Sequence, residues 1–587
     1  MKRALLKALP APLWALVRPM FHGTTSFQRE LRHTRSRLRY ATMPRALRRG
    51  TTPLMHGGKL WVAHPTERFQ SVEVIAENCR LVADTLAAAG IRHILLEADT
   101  NRRRVLGVSN RDRRRVLAVL AKELFTEAVY AAPVLKGQTR RPRLLGLEPL
   151  PAKAHELRLF QVRATSTGTF LSGSDLGCDI QFWNELDDDA PPGPAGEQMV
   201  KGTWVARSRN RWSDIIGTGE LCTQVRHVDG KPREVLAATS LPHFESVTFP
   251  VDAVYTWVDG SDVEWQRRKA AALAEATGAP LSPFSINDSR FMTRDELRYS
   301  LRSLEMYAGW VNHIYLVTDD QVPAWLDVDH PKLTVVSHRE LFGKRGKLPT
   351  FNSHAIESQL HHIEGLSEHF LYLNDDVFFG RPVDPTRFFL SNGMSKFFLS
   401  QAKIALGQPG LHDWPVMAAG KHNRDLIARR FGKQPTNKMK HVPHSMQRGV
   451  LQDIEQAFPL EHARTARAQF RAITDIAIPS SLAHYYGYFT QRAVPGSIRY
   501  FYADIARRDT PARLNALLRR RDVDVFCLND HDSSSVSAEE QKRIITTFLD
   551  SYFPLASSFE RAEASEGAGT QIARTARAAL AAAGMSS

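Results

Sequence analysis

The eleven residues Phe370–Gly380 read FLYLNDDVFFG, an apolar run broken in its middle by two adjacent acids, Asp375 and Asp376. Phe370–Leu373 predicts a short buried β-strand that ends at Asn374. Adjacent carboxylates between apolar flanks pay for desolvation and for mutual repulsion unless a divalent cation or a proton compensates. An open α/β sheet meets that condition, because its ligands lie at the carboxyl ends of its strands. Mg²⁺ or Mn²⁺, which take oxygen ligands and bridge to substrate phosphates, suit the position better than zinc. A solvated turn is the ordinary reading of Asp-Asp, and the hydrophobic context argues against it here.

The pattern around this motif alternates between strand and helix. Val251–Val258 is β-branched and aromatic and runs into Asp259-Gly260, a sharp turn. Ser261 and Glu264 have capping-box spacing, and the helix-favourable run after them lasts until Gly278. Strand, turn and helix N-terminus together would present free N–H groups to a nucleotide or phosphate, with an Asp-Gly hairpin as the alternative. Thr293 and Glu296 form a second capping pattern, opening a helix with Leu297, Leu301 and Leu304 on one face. Arg298 and Arg302 fall elsewhere, where arginines are ordinarily solvated.

Strands are predicted at His313–Thr318 and Leu333–Ser337, and a helix near Ser353–Ile363, completing the rhythm of a parallel sheet. On that helix Glu357 is one turn from His354 and from His361, a spacing that permits metal or acid/base work but on its own favours surface or packing roles. Two later clusters have similar character. His441-Val442-Pro443-His444 follows a basic stretch. Asn529-Asp530-His531-Asp532 follows a strand at Val523–Leu528 and precedes a helix capped by Ser537 and Glu540. Arg471 and Asp475 lie between them, before an aromatic run that starts at His484 and of which Tyr485 to Phe489 reads as core.

The remainder constrains class more than chemistry. At 43% hydrophobic and 24% charged residues, most of the 587 can bury a core. Residues 1–50 hold twelve Lys or Arg against Glu30 alone, +11 of the chain's +16. Such a tail binds nucleic acid, lies on an anionic membrane with Leu13, Trp14, Leu16 and Phe21 inserted, or is simply solvated. No apolar run is long enough for a transmembrane helix, and Pro10 and Pro12 interrupt what would be a signal peptide's apolar core. Four dispersed cysteines fit reduced thiols, so the cytosol is the expected compartment. The expected organisation is a basic, largely disordered tail (1–70), an accessory α/β domain (71–245), a catalytic domain (250–555) and a C-terminal tail (556–587). In the accessory part Phe182 and Trp183 are read as core rather than as a ligand platform.

The wording of the later region resembles the Stealth family of hexose-1-phosphate transferases. The matching stretches are VYTWVDGSD (Val254–Asp262), DELRYSLRSLEMYAGWVNHIYLVTDDQVPAWL (Asp295–Leu326) and LPTFNSHAIESQLHHIEGLSEHFLYLNDDVFFG (Leu348–Gly380). Weaker matches are HVPHSMQRGV (His441–Val450) and CLNDHD (Cys527–Asp532), so the resemblance spans roughly 250–555. The family includes bacterial capsular and exopolysaccharide phosphotransferases and the catalytic subunit that tags lysosomal glycoproteins with N-acetylglucosamine-1-phosphate. The large insertions and processing site of the eukaryotic relatives are missing here, so their acceptor does not transfer.

The resemblance implies a nucleotide-sugar-transferase-like, mostly parallel sheet flanked by helices, and the patterning outside the matched stretches adds a separate N-terminal α/β accessory domain. It implies sugar-1-phosphate transfer from a nucleotide-sugar donor to a glycan acceptor, with Mg²⁺ or Mn²⁺. Glu357, Asp376, His444 and Arg471 become the candidate catalytic residues, and Asp375, Asp376 and Asp530 the candidate metal ligands. Trp257, Asp259, Gly260, Ser261 and Arg298 are the candidate nucleotide-binding positions. His444, Glu357 and Asp376 all stand as the base. The rivals are a metal-dependent glycosyltransferase releasing a nucleoside diphosphate and a nucleic-acid-binding protein led by the tail. No specific nucleic acid is expected, since the remainder holds no recognisable module, and the expected location is cytoplasmic, with peripheral attachment at the inner face of the membrane as the alternative.

Overall fold

The computed structural model describes residues 38–97, 101–194, 196–275, 291–410, 412–529 and 536–561. The apolar and most of the basic residues of the N-terminal tail, the end of the predicted helix at Gly278, and the Asp530-His531-Asp532 cluster lie outside them. The chain divides into two compact units, the first holding residues up to Glu67 and Glu73–Leu241, the second Arg68–Val72 and Pro242 onward.

The first unit is built on one mixed sheet of fourteen strands. The helices Ser71–Ala88 and Arg113–Glu123 share a core with it, through Cys79, Val82 and Leu86 from one and Val116 and Leu120 from the other, packed with Leu106, Leu159 and Ile180. Phe182 and Trp183 are buried in strand Cys178–Glu185, as core residues. One expected boundary is corrected. Thr52–His56 and Lys59–Pro65, assigned to the disordered tail, form an antiparallel hairpin whose second strand pairs in parallel with Glu156–Ala164. Gly57 and Gly58, both at positive φ, make its turn, and Leu54, Val62 and Ala63 are buried. The basic composition upstream masked this Gly-Gly signal between two apolar runs.

The second unit carries a five-stranded sheet in the order Leu333–Ser337, Ile314–Thr318, Val251–Thr256, His369–Asn374, His444–Gln447. The first four are parallel and the last antiparallel. The first of these five strands along the chain, Val251–Thr256, is thus central, with Ile314–Thr318 and Leu333–Ser337 running off to one side and His369–Asn374 added on the other. The strand order therefore reverses at Val251–Thr256, and a crevice opens there at the carboxyl ends. Thr256 pairs with Asn374, so the Asp375-Asp376 corner hangs over that crevice.

After the corner the chain turns into Val377–Phe379, which pairs with Val525–Asn529 in a second, three-stranded sheet. Helix Glu296–Tyr307 packs beneath both sheets, with ten of its twelve residues buried. Its small residues permit the close approach. Ser300 Oγ donates to the Val377 carbonyl at 2.6 Å, and Ser303 Oγ accepts the Phe379 N–H at 3.0 Å.

This helix departs from the amphipathic expectation. Arg302 is buried and makes two 2.7 Å bonds to the carboxylate of Glu560, to which Arg298 also bonds. Residues 556–561, expected as tail, are therefore anchored: Glu560 bridges to Leu326, and the Asp327 N–H donates to the Phe559 carbonyl at 2.8 Å. The predicted helix near Ser353–Ile363 is two short turns, Ser353–Glu357 and a 3₁₀ turn Leu360–His362. The predicted cap of the last helix holds, Ser537 Oγ accepting the Glu540 N–H ahead of Ala538–Tyr552.

Candidate active site

A cavity of about 510 Å³ opens at the switch point. Its lining brings together Glu357, Asp375, Asp376, His444 and Arg471, which lie far apart in the chain, and adds Trp257. Asp259, Gly260, Ser261 and Arg298 are absent from it.

Each absence has a physical cause. The Gly260 N–H donates to the Phe291 carbonyl at 2.7 Å, and a Cβ on Gly260 would stand 2.4 Å from that oxygen, so the glycine is required by close packing. Asp259 Oδ1 accepts from the Ser261 N–H and hydroxyl at 2.9 and 2.6 Å, closing the turn on itself. The following helix, Val263–Glu275, is capped by Asp262 rather than Ser261, with Oδ1 accepting from the N–H groups of Glu264 and Trp265 at 2.8 and 3.0 Å. A carboxylate thus fills the helix N-terminus that the sequence offered to a phosphate. Arg298 is committed to Glu560 and to Asp295. Of the expected nucleotide-binding set, Trp257 alone faces the cavity, beside Trp265, Phe291 and Phe351.

At the acidic corner, Asp376 Oδ2 accepts from Asn529 Nδ2 at 3.0 Å and from Cys527 Sγ at 3.4 Å. Its Oδ1 is buried without a hydrogen-bond partner and lies 3.7 Å from His441 Nε2, itself bonded to Asn374 Nδ2 at 3.1 Å. Burial and the neighbouring charges of Glu296 and Asp376 push the Asp375 carboxyl well above its ordinary range. Glu296 is also pushed up, first by burial, with Arg294 working against the shift. Three acids that disfavour each other's charge, one with an orphaned oxygen, suit a divalent cation.

Glu296 was read in the sequence as a helix cap. It instead turns back to accept the Arg294 N–H, while Asp295 occupies the N-cap position. The nearest sequence signal was the capping pattern itself, which hid an acid buried beside two others.

The opposite wall is hydrogen-bonded around Tyr372, whose hydroxyl donates to Glu357 Oε1 at 3.1 Å and lies 3.0 Å from Thr256 Oγ1. Arg471 Nη2 donates to Ser353 Oγ at 2.6 Å; burial disfavours its charge, and Glu357 and Asp475 favour it. Asp475, fully buried, fixes the arginine's loop by accepting from Asn352 Nδ2 and the Ala472 N–H, both at 2.9 Å. His444 Nδ1 is 3.0 Å from His484 Nε2. Burial, then the neighbouring His484 and His441, hold His444 well below the ordinary histidine range, so its ring is neutral at pH 7. Lys438 and Lys440 add positive charge to the rim, and burial lowers Lys438.

Asp530 lies outside the described residues. His354 joins Glu357 in the lining, whereas His361, the other histidine one turn away, pairs with Glu455. The cysteines are unpaired, as expected, but Cys527 stands in the site without a spacing signal to announce it. Among the described residues no helix is long and apolar enough to cross a membrane.

Models of four conserved regions of Stealth proteins match this chain: CR1 at residues 249–276, CR2 at 290–397, CR3 at 440–488 and CR4 at 515–568. An exopolysaccharide phosphotransferase of Streptomyces coelicolor is 40% identical over 572 residues, covering 96% of each chain. Exopolysaccharide phosphotransferase CpsY of Mycobacterium leprae is 33% identical over 528 residues, 88% of this chain and 92% of that one. Among solved structures, the galactosyltransferase LgtC with donor and acceptor sugar analogues aligns to 51% of this chain and 96% of its own at 13% identity, with a TM-score of 0.27. That likeness is too slight to bear on the site.

Proposed function

The chain belongs to the Stealth family and is a phosphotransferase, and from that premise we propose that it moves a hexose-1-phosphate from a nucleotide-sugar to a hydroxyl of an acceptor glycan in exopolysaccharide synthesis. The observation that carries the reading is the Asp375-Asp376 corner at the switch point, in one cavity with Arg471 and His444.

In this reaction the acceptor oxygen attacks the phosphorus nearest the sugar, the pyrophosphate P–O bond breaks, and a nucleoside monophosphate leaves with the bridging oxygen. Charge on the non-bridging oxygens must be met in the transition state. Arg471, fixed at Ser353 and by the Asp475 loop, offers a planar donor fork for them. Lys438 and Lys440 extend the positive wall toward the nucleotide. Trp257 and Phe291 offer aromatic faces for a base or sugar ring.

Three groups stood as the base, and their partners separate them. Glu357 is engaged by Tyr372, and Asp376 by Asn529 and Cys527. His444 is neutral, and with Nδ1 held at His484 its Nε2 is the nitrogen left to take the acceptor's proton. Asp375 and Asp376 would hold Mg²⁺ or Mn²⁺ at the corner, with Glu296 behind Asp375. Bound there, the ion supplies positive charge to the donor's phosphates.

The identity of the released nucleotide tests the reading. With a UDP-sugar, a divalent cation and a glycan acceptor, UMP is expected in proportion to a phosphodiester-linked product. Acceptor-dependent release of UDP, with no phosphate in the product, would make the chain a glycosyltransferase instead.

A further inference from the structure

Away from the cavity, three imidazoles converge on one carboxylate. His361 and His362 come from the 3₁₀ turn Leu360–His362, Glu455 from helix Arg448–Ala457 and His462 from helix Pro459–Arg467. His361 Nε2 lies 2.6 Å and His362 Nε2 3.1 Å from Glu455 Oε2, and His462 Nδ1 lies 3.7 Å from Oε1. His361 and His462 are buried, and His362 and Glu455 are partly covered. None of the four lines the cavity.

Protons alone satisfy this arrangement poorly. His462 Nε2 is 2.8 Å from the Ser358 carbonyl, a contact that only an N–H can make. In the neutral ring, Nδ1 is then a bare lone pair turned toward a carboxylate oxygen. His362 Nε2 is buried with no hydrogen-bond partner, although it points at the same acid. Hydrogen bonding alone does not give this nitrogen a partner.

A cation does. Ligands 2.0–2.1 Å from a tetrahedral ion stand about 3.4 Å apart, and one ligand atom from each of His361, His362 and Glu455 lies within 4.8 Å of the others, His362 Nε2 standing 3.1 Å from Glu455 Oε2. Neutral imidazoles with a single carboxylate select zinc-like ions over Mg²⁺ or Ca²⁺. We propose that His361, His362 and Glu455 form a transition-metal site, suited to Zn²⁺, that ties the 3₁₀ turn to helix Arg448–Ala457.

The test uses full-length protein carrying Asp376→Asn, because Asp376, His441 and Cys527 are the other group among the described residues able to collect such an ion. The protein is stripped with chelator and titrated with ZnCl₂ against a chromophoric competitor. One Zn²⁺ per chain is expected, and adding His362→Gln or Glu455→Gln should weaken it by at least ~10-fold, since even outer-sphere changes cost that much. His362 sits at the rim of the cluster, so its variant keeps the fold if the other does not. With Co²⁺ alone, the parent should show the visible bands of a tetrahedral site and His362→Gln should lose them. No zinc uptake by the parent, or unchanged affinity in the His362 variant, overturns the proposal.

Discussion

Asp376→Asn is expected to lower acceptor-dependent release of nucleoside monophosphate by about 10² to 10³-fold, the usual loss when one electrostatic stabiliser is removed from a transition state. The fold should survive. Asparagine keeps the side-chain volume, and its amide oxygen still accepts from Asn529 and Cys527, as Oδ2 does now. What disappears is the negative charge, together with the orphaned oxygen beside His441. Losing that charge also relieves Asp375, whose carboxyl is pushed up by burial and by the charges of Glu296 and Asp376, so thermal unfolding without metal should be unchanged or slightly delayed. Turnover near the parent's level, measured at saturating donor and divalent cation, would remove Asp376 from the reaction.

The same corner shows how far the sequence could be read. Apolar residues on both sides of Asp375 and Asp376 revealed a buried strand end, and a topology of alternating strands and helices placed that end at a crevice. Residues that meet there from elsewhere were less visible, because a position at a strand end carries no periodicity of its own. His444 and Arg471 are marked by family resemblance, the Thr293–Glu296 spacing imitates a cap, and Cys527 carries no spacing signal. The turn at Asp259-Gly260 shows the reverse error. Its pattern suits a phosphate loop, but Phe291 and Asp262 occupy the N–H groups a phosphate would need. A local pattern announces that donors exist; whether they are already used is settled by segments distant in sequence.

Glu560 gives the largest effect expected on stability, and for the same kind of reason: nothing local marks it. Its side chain is 1% exposed and receives Arg302 Nε and Nη2 at 2.7 Å each, while Arg298 approaches from the neighbouring turn. Arg302 Nη1 is also tied to the Phe553 carbonyl at 3.1 Å, so the guanidinium cannot swing out to water without breaking the helix contacts. Glu560→Gln leaves both arginines without this carboxylate in a covered site. Breaking such a buried pair costs about 3–5 kcal/mol, equivalent to a fall in unfolding temperature on the order of 10 °C. The pH dependence follows the same logic. Burial works against the Glu560 charge, but the hydrogen bonds and charge of Arg302 outweigh it and hold the carboxyl below its ordinary range. A depressed folded-state value means the contribution is complete above the unfolded value of about 4.3 and is lost as pH falls through the folded one. Thermal melts of parent and Glu560→Gln should therefore differ most at neutral pH and converge on acidification below that value. Equal unfolding temperatures at pH 7 would show that the carboxylate does not anchor the helix through Arg302.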